Sequence, residues 1–349
     1  MNHIALMRPY VPEAAKSAVA KVLDTRWIGQ GPVVEEFERQ FSAYVGRPSV
    51  AVGSCTDALH LAYILAGIGP GDEVIAPVFT CTATNIPLLY CGAKIRFADV
   101  APDSLNMSAD TVAPLLNERT KAVVTVHYGG MPARIGLPPV PVIEDCAQAL
   151  GARVGRIGDF ACYSFQAVKH VTTGDGGMLS LPESMIEKSK RVRWFGIDRA
   201  AKFNGTWAND ITEVGYKYQM TDIAAAMGLA GLACMDWQLE WRRELRAAYA
   251  VGLAGIDGIR LLDTDPDSAC WLCTVLVERR EDLRRALIAH EIESDQVHYR
   301  NDRYSIFREF RGEFPNMDAI DSKYLCLPLH MWMKVEDVER ICEVVRAGW

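Results

Sequence analysis

The chain has 349 residues, half of them hydrophobic and 23% charged, which is room for two domains and a large core in a globular protein. A net charge of −7 argues against the basic footprint of a nucleic-acid or anionic-membrane binder. No apolar run reaches the roughly 18 residues a membrane span needs, and the start MNHIALMRPYVPEAAK lacks the basic-then-apolar pattern of a secretory signal. Most of the ten cysteines lie inside apolar runs and read as reduced thiols of a cytoplasmic protein. Cys270 and Cys273 form a lone CxxC in the β-rich segment CWLCTVLV. A zinc site needs a second pair, and strand alternation would point the two thiols to opposite faces, so both read as structural. No HxxH or HExxH pattern argues for a metal.

Helical spacing of Ala14, Ala18, Val19, Val22 and Leu23 predicts a helix over 12–24, broken by the turn Arg26–Pro32 with its Trp27, Gly29 and Gln30. A helix over Val33–Val45 and a strand over Ser49–Val52 follow. The small-residue turn Gly53–Asp57 then leads into a helix over Ala58–Ala66, with Thr56 and Asp57 as its cap. A strand, a small turn and a helix start together make an anion site, although capping alone is the commoner role of such residues. Gly67–Asp72 follows a helix and precedes the strand Glu73–Pro77, the reverse of a dinucleotide fingerprint. The next helix begins in Phe79–Asn85, and strands are predicted over Lys94–Val100 and Ala122–His127. This β-α-β-α order with short connections predicts a three-layer, doubly wound, mainly parallel sheet.

The stretch Pro141–Ser180 organises the rest. The apolar run Pro139–Ile143 ends in Glu144–Asp145, and carboxylates at the carboxyl end of a buried strand face the crevice where α/β proteins bind ligands. Neighbouring strand residues point to opposite faces, so only one acid reaches that crevice, and Glu144 is left without a role. A second run, Phe160–Phe165, precedes Lys169 and the tight turn Gly174–Gly177. After a helical Pro182–Arg193 come an irregular Trp194–Asn209 and the segment Gly215–Asp222. The helices Ile223–Cys234 and Trp237–Leu253 follow. A smaller α+β part is expected from the strand Cys270–Val277, the helix Glu281–His290, the strand Asp295–His298, the segment Leu325–Leu329 and the helix Val335–Ala347. The expected division is 1–235 and 236–349, with a cleft between.

Taken together, EDCAQALGA, SFQAVKHVTTGDGGM, the Trp27–Pro32 turn, Ser54–Leu59, Pro77–Asn85, Phe97–Val100 and Gly215–Gly228 resemble the DegT/StrS-type nucleotide-sugar aminotransferases nearly end to end. The resemblance implies the fold type I architecture and pyridoxal 5'-phosphate as cofactor, passing through its pyridoxamine 5'-phosphate form. It implies transamination of a keto-sugar with L-glutamate as amino donor, in a homodimer with shared active sites. Lys169 matches the lysine that binds the cofactor aldehyde, Asp145 the carboxylate on the ring nitrogen, and Gln148 the group near the phenolic oxygen. Ser164, Thr56 and Asp57 match the phosphate site, where Cys55 replaces the usual glycine. Cys81 stands where many members stack an aromatic on the ring. Lys217 and Gln219 stand where many have Asn and Arg, and Lys217 is a candidate contact to the partner subunit's cofactor. Trp27, Gly29, Gln30, His298 and Tyr299 are candidates for the sugar pocket. Relatives with histidine in place of the lysine are dehydratases, so the intact Lys169 favours transamination. Two other readings are weaker: a degenerate member that only binds, and a Rossmann-type oxidoreductase, which would need a strand–GxGxxG–helix unit.

Overall fold

In the computed structural model the chain is described over residues 3–101, 104–199, 201, 205, 210–262 and 265–349. Parts of the irregular segment after Trp194 (200, 202–204 and 206–209) lie outside the described residues. The strands are β1 (Ser49–Val52), β2 (Glu73–Pro77), β3 (Phe79–Thr80), β4 (Lys94–Ala98), β5 (Thr120–Val126), β6 (Val142–Asp145), β7 (Phe160–Ser164) and β8 (Gly177–Ser180). They are followed by β9 (Ile259–Leu261), β10 (Cys273–Val277), β11 (Tyr299–Arg300) and β12 (Tyr324–Leu327). Near-continuous apolar runs such as EVIAP and FACYS are buried at every position, because helices cover both faces of the sheet they enter.

That sheet has seven strands in the order β1-β8-β7-β6-β5-β2-β4. All neighbours are parallel except β8, which runs antiparallel to both β1 and β7. This is the doubly wound, mainly parallel architecture expected of fold type I. Phe37, Phe41 and Phe165 pack edge to face and tilted under one face, and burial of each such ring contributes ~2–3 kcal/mol.

β7 and β8 form a long hairpin in which Ser164 pairs with Gly177, and Lys169 lies in its loop. The glycine cluster is the return turn expected from the sequence. Gly177 has a sharper reason to be glycine, since a Cβ there would lie 2.4 Å from the Ser54 carbonyl oxygen and 2.7 Å from the Cys55 nitrogen. Gly177→Ala should therefore cost about 1–3 kcal/mol of overpacking, read as a lower denaturant midpoint. An unchanged midpoint would contradict this close approach.

Several boundaries differ from the sequence expectation. The helix after β1 runs Cys55–Leu65, and its cap is Ser54, whose hydroxyl accepts from the Asp57 amide at 3.0 Å. Thr56 and Asp57 thus lie inside the first turn. The strand begins at Cys273 rather than Cys270, because Cys270 takes a φ of +50°. The opposite-face argument for the two thiols therefore does not apply, though both thiols are buried. Asp295–His298 makes only a bridge from Asp295 to Cys326. The ordered pairing falls one step later, where Tyr299 and Arg300 join Thr80 and Phe79. Asn85 and Asn301 lock that ribbon: Asn85 donates to the Pro77 carbonyl and to Asn301 Oδ1, and Asn301 donates to the Thr80 carbonyl.

A second sheet, β12-β10-β9, carries its own buried cluster with Leu283, Leu287, Val338 and Ile341. The helix Met235–Gly252 joins the two regions. Met235 and Leu239 pack into the cluster under the large sheet, while Leu245 and Tyr249 pack into that of the second. Among the described residues, no helix is long and apolar enough to cross a membrane.

Candidate active site

Parallel strands deliver their carboxyl ends to one edge of the large sheet, and the β1 exit lies at the same edge because β8 is antiparallel to both β1 and β7. This edge collects the Cys55–Leu65 helix start, the β2 exit with Cys81 and Thr84, and the β5 exit with Gly129. Asp145 ends β6, Gln148 follows it, and Ser164 ends β7. Such an edge is the usual ligand crevice of an open α/β sheet.

Asp145 is buried, and its two oxygens have separate partners. Oδ2 accepts from the Thr84 hydroxyl at 2.7 Å and Oδ1 from the Ala147 amide at 3.0 Å. Thr84 in turn accepts from the Thr80 hydroxyl at 2.8 Å, which fixes the donor direction along the chain. Burial pushes the Asp145 carboxyl above its ordinary range despite those two bonds and the nearby Lys169.

Glu144 points the other way, as strand alternation requires. It accepts from the amides of Gly155, Ile157 and Gly158 and from His127 Nε2 at 3.0 Å. The Ala133 amide donates to His127 Nδ1, so the ring hydrogen shared with Glu144 sits on Nε2. Burial pushes the Glu144 carboxyl up, but the bonds from His127 and the two glycine amides outweigh it and hold it at about 2. Cys146 lies close enough to this pair to suggest a metal cluster. Both His127 ring nitrogens and both Glu144 oxygens are already engaged, so the group is a structural knot.

Lys169 is partly exposed, and its Nζ lies 3.5 Å from the centroid of the Trp271 ring. Desolvation lowers its pKa to about 8 against the opposing pull of Asp145, Cys81 and Cys55, so a free amine is accessible near neutral pH. Gln148 is buried. Its Oε1 accepts from the Gly129 amide at 2.7 Å, so its Nε2 is the donor towards His298 Nε2 at 3.0 Å. Burial beside Lys169 depresses His298 to about 3, which keeps that ring neutral and able to accept. His298 also stacks on Trp271 at 6.0 Å between ring centroids.

Ser164 turns its hydroxyl to the Gln166 amide, and Thr56 sits at the helix start beside Asp57. Burial pushes the Asp57 carboxyl up to about 6. Cys81 is exposed at the start of the Thr82–Tyr90 helix. Tyr299 is held in the β3–β11 ribbon, its ring facing the Arg303 guanidinium.

The remaining candidates sit elsewhere in the chain. The Gly31, Val33 and Val34 amides donate to Asp222, and the Asp222 amide donates to the Gly29 carbonyl. Trp27 and Gln30 line a cavity of about 1080 Å³ together with Glu35, Arg193 and Arg199. Lys217 is exposed and stacks over Trp194 at 4.6 Å. None of these meets Lys169 within one chain in the contacts above.

Sequence reasoning missed Trp271 and Thr84. Trp271 lies within CWLC, which is weighed for its cysteines alone, and Thr84 lies in a run matched to the family with no role given to this threonine.

The cluster fits pyridoxal phosphate. Lys169 offers an amine whose proton is loosely held, and the buried Asp145 carboxylate calls for a cationic partner such as a protonated ring nitrogen. A helix start on the same edge suits a phosphate.

Residues 9–346 match the DegT/DnrJ/EryC1/StrS aminotransferase family. The spore coat polysaccharide biosynthesis protein SpsC of Bacillus subtilis is 32% identical, covering 97% of this chain and 95% of its own length. The UDP-4-amino-4-deoxy-L-arabinose–oxoglutarate aminotransferase of Shewanella sediminis is 31% identical over 98% of this chain and 97% of its own. The crystal structure of the sugar aminotransferase CalS13 from Micromonospora echinospora superposes with a TM-score of 0.94 at 32% identity, covering 99% of this chain and 100% of that one. With a family match over nearly its whole length and relatives of this identity end to end, the chain belongs to the DegT/DnrJ/EryC1/StrS family of pyridoxal-phosphate-dependent sugar aminotransferases.

Proposed function

We propose that this sugar aminotransferase moves the amino group of L-glutamate to the keto carbon of a nucleotide-linked keto-deoxy-sugar. It does so as a cytoplasmic homodimer with shared active sites. The observation that carries the reading is the convergence of Lys169 and Asp145 at one sheet edge, each altering the other's proton affinity. The donor and the nucleotide are supported by the Shewanella relative, whose name contains a UDP-sugar and oxoglutarate.

When bound, the cofactor supplies an aldehyde for the amine and a ring that takes up the electron pair left on the reacting carbon. Lys169 would hold that aldehyde through its amine, and as a free amine it would accept and return the proton of the reacting carbon. Asp145, steadied by Thr84, would keep the ring nitrogen protonated, and Gln148, its amide direction fixed by Gly129, would serve the phenolic oxygen. Thr56, Asp57 and Ser164 would hold the phosphate, and Cys81 would lie where many relatives place an aromatic. His298 and Tyr299 border the sugar. Trp27, Gly29, Gln30 and Lys217 are held by other elements, and a shared site would give them the partner's crevice to act on.

Dehydration is the second reading to consider. His170 bears against it, because its Nε2 lies 2.8 Å from the Ala269 carbonyl and the ring is buried away from solvent. The test is an incubation with L-glutamate and a panel of nucleotide-linked and free keto-sugars, with products read by mass spectrometry. Equal amounts of 2-oxoglutarate and a nucleotide-linked amino-sugar are expected. A sugar product without nitrogen, or turnover of free sugars alone, would overturn the proposal. Sedimentation of the loaded enzyme as a monomer would remove the shared site.

A further inference from the structure

The segment Ala269–Leu272 is held more tightly than packing alone requires. The Ala269 amide donates to the Gly130 carbonyl, and the Ala269 carbonyl lies 2.8 Å from His170 Nε2. The Trp271 and Leu272 amides both donate to the Gly129 carbonyl, at 2.8 and 3.0 Å. The carbonyls of Cys270 and Trp271 accept from the buried guanidinium of Arg242, which also reaches the Leu329 carbonyl. Between them Cys270, a non-glycine residue, is kept at a φ of +50°, a conformation that persists only where its surroundings over-determine it. Gly130 makes the approach possible, since a Cβ there would lie 2.9 Å from the Cys270 nitrogen.

This clamp fixes one side chain. The Trp271 indole donates to the Val168 carbonyl at 3.0 Å, so its ring is tied to the residue before Lys169 and its face is turned to Nζ. The ring also stacks with His298, which Gln148 holds. A buried aromatic face attracts an ammonium and is indifferent to a neutral amine. We infer that Trp271 is a positioning residue of the reaction, a clamped ring face that docks Lys169 in its protonated state and keeps Nζ beside the reacting carbons when it is not covalently engaged. The inference rests on Lys169 being the cofactor lysine. It adds a reason for the tight backbone that folding alone does not supply.

The groups that face Lys169 remain in place when Trp271 is altered. Asp145 faces it from β6, Cys55 and Cys81 from two helix starts, and neutral His298 and His170 adjoin it. A change in its titration then reports the ring. The experiment uses the full chain freed of cofactor, with Lys169 acetylation by limiting acetic anhydride followed across pH by peptide mass spectrometry. Trp271 is replaced site-specifically by mono-, di- and trifluorinated tryptophan, which drains the ring face without changing its shape, and separately by Phe and Leu. The midpoint of Lys169 should fall stepwise with fluorination, and by about one pH unit in Trp271→Leu, with Trp271→Phe between. An unchanged midpoint across the fluorinated series, or a rise, would overturn the inference even if the Leu variant failed to fold. Because these readings need no cofactor, their failure leaves the cofactor role of Lys169 standing. Covalent cofactor retained by Lys169→Ala would sink that role instead.

Discussion

Lys169→Ala is expected to lose both covalent cofactor and turnover while remaining folded. On the proposed reading the side chain both engages the cofactor aldehyde and moves the proton. Proton transfer alone is worth about 10²–10⁴ in rate, so the combined loss should exceed roughly four orders of magnitude. The residue is partly exposed and its nitrogen rests on an aromatic face rather than in an ion pair. Its removal should therefore move stability by no more than about 1 kcal/mol. The measurements are long-wavelength absorbance after gel filtration with added cofactor, single-turnover amine transfer, and a denaturant midpoint. Turnover within tenfold of the wild type would refute the assignment. Loss of the folded state would show that the lysine is structural.

The largest effect on stability is expected at the neighbouring strand residue that has no part in the chemistry. Glu144→Ala leaves the His127 Nε2–H and the amides of Gly155, Ile157 and Gly158 without their acceptor in a buried place. Stranding such donors should cost about 3–5 kcal/mol, enough to remove much of a typical domain's margin. The pH dependence has a definite sign. The carboxyl is held at about 2 in the folded chain, below its ordinary value. Its contribution is therefore fully present above the unfolded value and is lost as pH falls from about 5 towards 2, amounting to ~3 kcal/mol. Unfolding midpoints from pH 7 down to 2 should fall more steeply for the wild type than for Glu144→Gln. Parallel curves would show that the knot carries no such weight.

These two residues show what could be read from sequence. Alternation along β6 separated Glu144 from Asp145 correctly, because strand geometry is local. It gave Glu144 no role, because the partners lie on a turn ten and more residues onward whose amides carry no sequence signature. Lys169, Asp145 and Gln148 are legible because they share one motif-bearing stretch, and the sheet class because apolar runs alternate with helical ones. Trp271 was hidden by its neighbours: CWLC invites a reading about thiols, and the clamp that aims the ring is built of backbone groups from Gly129, Gly130 and Ala269. The misplaced helix cap has a similar cause. Ser54, Thr56 and Asp57 are all good caps, and only the turn geometry selects Ser54. The strand placed over Asp295–His298 failed because the regular pairing falls on Tyr299–Arg300 against β3, a two-residue strand of a kind that periodicity cannot detect.

The helix Met235–Gly252 has one more consequence, for cooperativity. Its first turns are buried with Phe37 and Phe165, and its last with Leu283 and Ile341. Melting either cluster alone would leave half of the helix's apolar stripe in water and strip Arg242, midway along it, of the carbonyls it binds. The melting of one cluster therefore carries a penalty levied on the other. Local opening at the chain's far end is transmitted along a single rigid element to the backbone beneath Trp271, and the candidate site's edge shares its lifetime with the second sheet.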